Sequence, residues 1–187
     1  MKITCMIRKD AERPIETLAG FLKKTPAVMK YGRTTIYEGD IYYLPYTMVV
    51  YQIQETKETY IFLGSRLSDD ICVFRKDERM TVEVLDQEAD ENGVLLPVKE
   101  EEEVQEEVLR KIQLNKKMRK LYQTYHFRQT ALGTVYLPEH AFYVKGKKEY
   151  LLLVDPLLGK VDYKHLEAVE RRFAENYLKG LREESGR

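Results

Sequence analysis

Apolar positions along the chain change period several times, and each change marks an element. Residues 2–7 alternate, with Ile3, Cys5 and Ile7 on one face of a short strand. Ile15, Leu18, Ala19 and Leu22 then recur at i, i+3, i+4 and i+7, the stripe of an amphipathic helix. Asp10 is placed as its cap, Pro14 fits the first turn, and Lys23-Lys24 suit the negative end of the dipole. Thr25-Pro26 is expected to stop it. Residues 34 to 74 are rich in Tyr, Ile, Val and Thr. Strands are predicted over residues 34–37, 40–44, 47–54, 59–64 and 70–74, with turns at Gly39-Asp40, 55–58 and 65–69. Pro45 has no N–H to give a ladder, which places it at an edge, a bulge or a strand start. Residues 81–85 and 94–98 flank Asn92-Gly93 and read as a hairpin.

Residues 99–125 read as the longest helix. Val104, Val108 and Ile112 begin its stripe, which drifts through Leu114, Met118, Leu121, Tyr122 and Tyr125. Its glutamates come first and its lysines and arginines last, the order a helix dipole favours. A second strand-rich stretch follows, with strands over residues 134–137, 141–145, 149–154 and 160–162 and a hairpin tip at Lys145-Gly146-Lys147. Asp162 can cap a last helix whose stripe is Leu166, Val169, Phe173, Tyr177 and Leu181, and the final Glu-Ser-Gly-Arg is expected to fray.

The two strand-rich stretches resemble each other. Tyr43-Leu44-Pro45 recurs as Tyr136-Leu137-Pro138 at an offset of 93, and Tyr60, Leu63 and Leu67 recur as Tyr150, Leu153 and Leu157 at an offset of 90. These matches predict a duplicated unit. The expected class is α+β: antiparallel sheet from two related β units with three helices packed on one face. The halves are residues 1–98 and 99–187, separate or fused into one domain with an internal repeat. Residues 151–163, LLLVDPLLGKVDY, also resemble the Asp-x-x-x-Gly strand-turn-strand of small PepSY-type α+β modules; that resemblance carries over no functional residue.

Composition narrows the function. The 187 residues hold 31 basic and 31 acidic side chains, so a global attraction to nucleic acid or anionic lipid is not expected. Two cysteines without a CxxC pair suit structural thiols in a reduced setting. No secretory signal or membrane span is legible, and a cytoplasmic protein is expected. His126, His140 and His165 make no metal-ligand spacing, and no GxSxG, GxGxxG or P-loop pattern occurs, so no metal and no cofactor are expected.

The 14 tyrosines, with no tryptophan, supply most of the large ring surface. The leading expectation is a non-enzymatic binding or regulatory protein that uses Tyr-rich strands for a protein partner or for self-association into a homo-oligomer. Candidate binding residues are Tyr43, Tyr136, Tyr143, His140 and Asp155. One alternative is an enzyme with a polar site at Glu139, His140 and Asp155. Another is single-stranded nucleic-acid binding through Lys116, Lys117, Arg119 and Lys120 beside Tyr122 and Tyr125, together with Lys145, Lys147 and Lys148.

Overall fold

Two strands of 19 residues each, β-rich in sequence and paired from end to end, form the spine of the molecule. The computed structural model describes residues 1–76 and 81–185, with side chains to Leu178. In chain order the elements are β1 (Lys2–Arg8), α1 (Pro14–Leu22), α2 (Thr25–Tyr31), β2 (Thr35–Ile53), β3 (Thr59–Ser65), β4 (Ile71–Lys76) and β5 (Val82–Glu88). After a 3-10 turn at Glu91–Gly93 come α3 (Glu101–Leu114), α4 (Lys116–Thr124), β6 (Phe127–Lys145), β7 (Glu149–Asp155), β8 (Lys160–Asp162) and α5 (Leu166–Ser185). The fold is α+β, with a mostly antiparallel sheet ordered β4-β3-β2-β6-β1-β5. β7 adds to β6 and β8 to β7, and the short β1–β6 contact at Cys5–Tyr136 is parallel.

The predicted strands at 34–37, 40–44 and 47–54 are one strand, β2, because β6 offers an uninterrupted partner across both presumed breaks. Gly39-Asp40 is a bulge rather than a turn: Glu38 pairs with Phe142 and Ile41 with His140, leaving one extra residue on β2. A second bulge leaves Thr130 extra on β6. Pro45 lies mid-strand, opposite Tyr136, and its carbonyl points away from β6 to accept from the Arg66 amide. Its missing donor therefore falls on the outer edge, where β3 stops pairing at Tyr46–Ser65. Pro138 sits equivalently between the last β1 contact at Tyr136 and the first β7 pair at His140–Val154.

The two Tyr-Leu-Pro triplets meet in this ladder. Tyr43 faces Pro138, Leu44 faces Leu137 and Pro45 faces Tyr136, so each triplet lies against the other read backwards. Each long strand is preceded by two helices; β2 is followed by β3, β4 and β5, and β6 by β7 and β8.

β5 pairs with β1, not with residues 94–98, so the expected hairpin around Asn92-Gly93 is absent. Residues 94 and 95 instead run beside Tyr43. β1 supplies a seven-residue partner for β5, which a hairpin to the short 94–98 stretch does not match. β4 ends at Lys76 and β5 begins at Val82, yet they stand at opposite ends of the strand order. Six residue steps reach about 20 Å at most, so the sheet must curl strongly.

The curl gives an inner and an outer face. Inside lie Met6, Tyr42, Leu44, Tyr46, Leu63, Val135, Leu137 and Leu153, closed over by Val169 of α5. Outside, α1 and α2 cover Phe142, Val144, Leu152 and Val154, while α3 and α4 cover Val49, Tyr51, Ile53 and Phe62. The helical cover is thus five helices among the described residues, with α5 on the face opposite the others. The first helix ends where expected, followed by an unexpected one, and the long helix is split. Thr25-Pro26 ends α1 and also starts α2, since Pro is accepted in a first turn. Asn115 breaks the long helix, its side chain capping α4 through the Met118 amide at 3.1 Å, which explains the drift in the apolar stripe. Asp10 does not cap α1; its carboxylate pairs with Arg8 and accepts from the Thr81 amide. Leu181 and the Gly186-Arg187 tail lie outside the described side chains and residues respectively.

Both cysteines are free, and burial pushes the Cys5 thiol up to about 11. No helix among the described residues is long and apolar enough to cross a membrane.

The closest helix–sheet contact supplies a test. A Cβ on Gly64 would stand 2.2 Å from Cγ1 of Val104 on α3, so β3 needs glycine there. Gly64→Ala should lower unfolding free energy by about 1–3 kcal/mol, the usual cost of overpacking. Val104→Ala in the same chain should recover part of that loss in a denaturant double-mutant cycle.

Candidate functional site: an aromatic cleft beside the strand bulge

Where β2 bulges, its neighbours cannot close over it, and a cleft of about 580 Å³ opens between β2, the turn at Glu91–Gly93 and α5. The bulge needs glycine by close approach: a Cβ on Gly39 would lie 3.0 Å from the Tyr143 ring and 3.1 Å from the Ala141 carbonyl. β2 contributes Asp40, Ile41, Tyr42 and Tyr43 to the lining. Asp90 and Asn92 come from the turn, and Phe173, Asn176 and Tyr177 from α5.

Hydrogen bonds fix these walls to each other. The Asp90 carboxylate accepts from the Asn92 amide at 3.0 Å and holds the turn. Arg172 donates to the Glu91 carbonyl at 2.7 Å and to the Asn92 carbonyl at 3.1 Å, and the Asn176 side chain donates to the same Asn92 carbonyl at 2.9 Å. The turn also presses on β2, for a Cβ on Gly93 would stand 2.6 Å from the Ile41 carbonyl.

α5 explains why rings reach solvent here. Val169 is fully buried, but one and two turns later Phe173 is 43% and Tyr177 62% exposed. The helix runs off the edge of the core, so the second half of its apolar stripe becomes cleft wall. Tyr143 meets Phe173 edge-on at 6.4 Å between ring centres. Tyr42 is buried, and burial, followed by the charge of Asp40 and the neighbouring Tyr143, pushes its hydroxyl up to about 12 against the opposing pull of Arg172.

Of the residues expected from sequence, Tyr43 lines the cleft and Tyr143 stands at its rim. Tyr136 packs beside Tyr43 in the small cluster around Ile3 and Cys5, outside the cleft. His140 is half-buried on the outer face of the sheet, paired with Val154 and Ile41. Burial lowers its pKa, against a weaker opposite effect of Glu38. Asp155 is buried in the interior, its carboxylate accepting from the Leu158 amide at 3.0 Å, and burial raises its pKa. Glu139 and Asp155 do share the inner face, but strand alternation turns His140 outward. His165, just before α5, takes the place expected of it: its Nδ1 lies 2.5 Å from Asp162 and 4.0 Å from Glu139. Its Nε2 lies 2.8 Å from the Ser65 hydroxyl.

Phe173 and Tyr177 were legible only as a helical stripe, and Asp40 and Asn92 only as turn residues. Nothing in their spacing marks them as one site. The two basic patches flank opposite ends of β6, Lys116–Thr124 before Phe127 and the Lys145 hairpin after it, and do not form one track. Neither a family model, nor a curated protein, nor a solved structure matches the chain, the PepSY-like segment included.

His140 provides a pH test. Its folded pKa lies below the ordinary 6.5, so the unfolded chain binds more protons as pH falls past 6.5. The stability it permits is complete above that value and is lost on acidification through the folded pKa. His140→Gln should therefore narrow the drop in melting temperature between pH 7.5 and 5 relative to the parent protein.

Proposed function

We propose that the chain is a binding protein whose aromatic cleft accepts a lysine or arginine side chain from a protein partner. The observation that carries this reading is the pairing of ring walls with two carboxylates in one cleft: Tyr42, Tyr43, Phe173 and Tyr177 with Asp40 and Asp90. Ring faces attract a cation at about 0.5–1 kcal/mol when exposed and about 2 kcal/mol when desolvated, and the carboxylates add charge complementarity. Ile41, 39% exposed, adds apolar surface to the same lining.

This reading keeps the Tyr-rich strands as the working surface and narrows it to one end of the β2–β6 ladder. The two β units enter it as copies of one ancestral unit, supported by the facing Tyr-Leu-Pro triplets and the shared order of helices and strands. Unpaired Cys5 and Cys72 accord with a cytoplasmic setting. The enzyme reading at Glu139, His140 and Asp155 loses its histidine to the outer face, and the nucleic-acid reading lacks a continuous basic track.

Amide shifts of Gly39, Asp40 and Gly93 in a ¹⁵N spectrum should move on titration with a tetralysine peptide at low salt. Asp40→Asn and Tyr177→Ala, both at exposed positions, should each weaken the response at least threefold without loss of fold. Equal shifts with a tetraglutamate peptide, or no effect of either substitution, would remove the reading. Concentration-dependent shifts without peptide would point to self-association in its place.

A further inference from the structure

We propose that Glu139 of β6, Asp162 of β8 and His165 at the start of α5 bind one divalent transition-metal ion of the zinc or manganese class. One oxygen or nitrogen from each of the three side chains lies within 4.8 Å of the other two, and all three residues are buried. They come from three elements that the fold alone brings together. The proposal stands independently of the aromatic cleft.

Glu139 is the decisive member. It has no exposed surface, and no amide, hydroxyl or cation among the described residues donates to either of its carboxylate oxygens; its polar neighbours are the Asp162 carboxylate and the His165 imidazole. Such an orphan costs about 1–3 kcal/mol or more, and buried polar groups are otherwise satisfied in the great majority of cases. An ordinary structural network would not leave it so: Asp162 accepts from the Lys164 amide at 2.7 Å, and Asp155 from the Leu158 amide. Glu139 alone meets no backbone amide, and the side chains it does meet are a second acid, Asp162, and His165 at 4.0 Å. Burial, and then the charges of Asp162 and Asp155, push its carboxyl well above the ordinary range, so it enters this arrangement at a cost that a dication would reverse.

The histidine is held as a metal ligand is held. Its Nε2 faces two hydroxyls, Ser65 at 2.8 Å and Ser68 at 3.1 Å. The Ser65 oxygen also accepts from the Leu67 amide at 3.1 Å. With an ion in place of the proton between Nδ1 and Asp162, an Nε2–H donated to these oxygens would leave the Nδ1 lone pair for the metal, and ligating histidines characteristically anchor the remote nitrogen in this way. The Tyr46 ring stands edge-on at 5.8 Å and walls the site.

Distances are compatible with an ion after one small adjustment. Ligand atoms about 2.0–2.2 Å from zinc stand about 3–3.5 Å from each other. The Nδ1–Glu139 separation is 4.0 Å, and the 2.5 Å hydrogen bond from Nδ1 to Asp162 must open by about 1 Å as the ion takes the place of its proton. One imidazole with two carboxylates suits zinc or manganese better than calcium or magnesium, which favour all-oxygen sites. The ion would tie α5 to β6 and β8 at the end of the helix that later forms the cleft wall.

Chelator-stripped full-length protein titrated calorimetrically with Zn²⁺ and with Mn²⁺ should bind one equivalent of at least one of them. Zn²⁺ or Mn²⁺ should also raise the melting temperature above its value in EDTA. Glu139→Gln keeps shape and volume and should weaken binding at least tenfold, and Ser65→Ala combined with Ser68→Ala, which frees the remote nitrogen, about tenfold or more. Glu83→Gln, on exposed β5, should leave the affinity unchanged. Absence of stoichiometric binding by the parent protein, or equal affinity in Glu139→Gln, would overturn the site. Should Glu139→Gln not fold, His165→Asn and the metal-dependent melting temperature of the parent decide the same question, no shift with either ion counting against it.

Discussion

Pairing between β2 and β6 is the constraint from which the remaining structure follows. It joins segments some 90 residues apart along nearly their full length, so most of the sheet's order is non-local. The loop that must close before this ladder forms is long, and its entropy is recovered only once many pairs are made. β3 and β4 then extend one end of the ladder, while β7 and β8 extend the other on the opposite edge. The boundary between the two halves of the chain therefore separates sequence but not sheet: β6 of the later half lies between β2 and β1 of the earlier one.

A ladder this long tolerates residues that a short strand would not. Pro45 and Pro138 each fall where the outer neighbour has ended, so neither removes a bond that another strand was offering. The two bulges bend the ladder, and each shifts the alternation of side chains between faces. Ile36 and Glu38 share the outer face with Val144 and Phe142, whereas beyond the bulge Tyr42 and Leu44 turn inward. Without that shift Tyr42 would not stand under the cleft.

α5 links the two places where chemistry concentrates. Its first turn begins beside the buried Glu139, Asp162 and His165, and its exposed half carries Phe173 and Tyr177. A helix held at its start by a polar cluster and by Val169 against the core, and farther along by Arg172 and Asn176 bonded to the Glu91–Gly93 turn, has little freedom to rotate. The cleft is therefore presented by a wall fixed at several points along its length rather than by a loose flap.

Much of the local structure was already written in the chain. Runs rich in β-branched, aromatic and leucine residues marked the strands expected at 59–64, 70–74 and 149–154, the first and last apolar on both sides because the sheet's inner and outer faces are both covered there. The i, i+3, i+4 stripe marked α1 and α3 because each helix buries one face. The Tyr-Leu-Pro repeat named the two segments that meet, though not that they meet each other. What sequence could not supply was any relation set by distance in space. Gly39-Asp40 and Pro45 carry the local signs of interruption, and only an unbroken partner strand overrides them. His140 sits next to Glu139 in the chain but across the sheet from it, whereas His165, 26 positions on, comes within 4.0 Å. Neighbours in sequence diverge on a strand and distant residues converge on a curled sheet, so the elements were legible from periodicity while the cleft and the buried cluster required the fold.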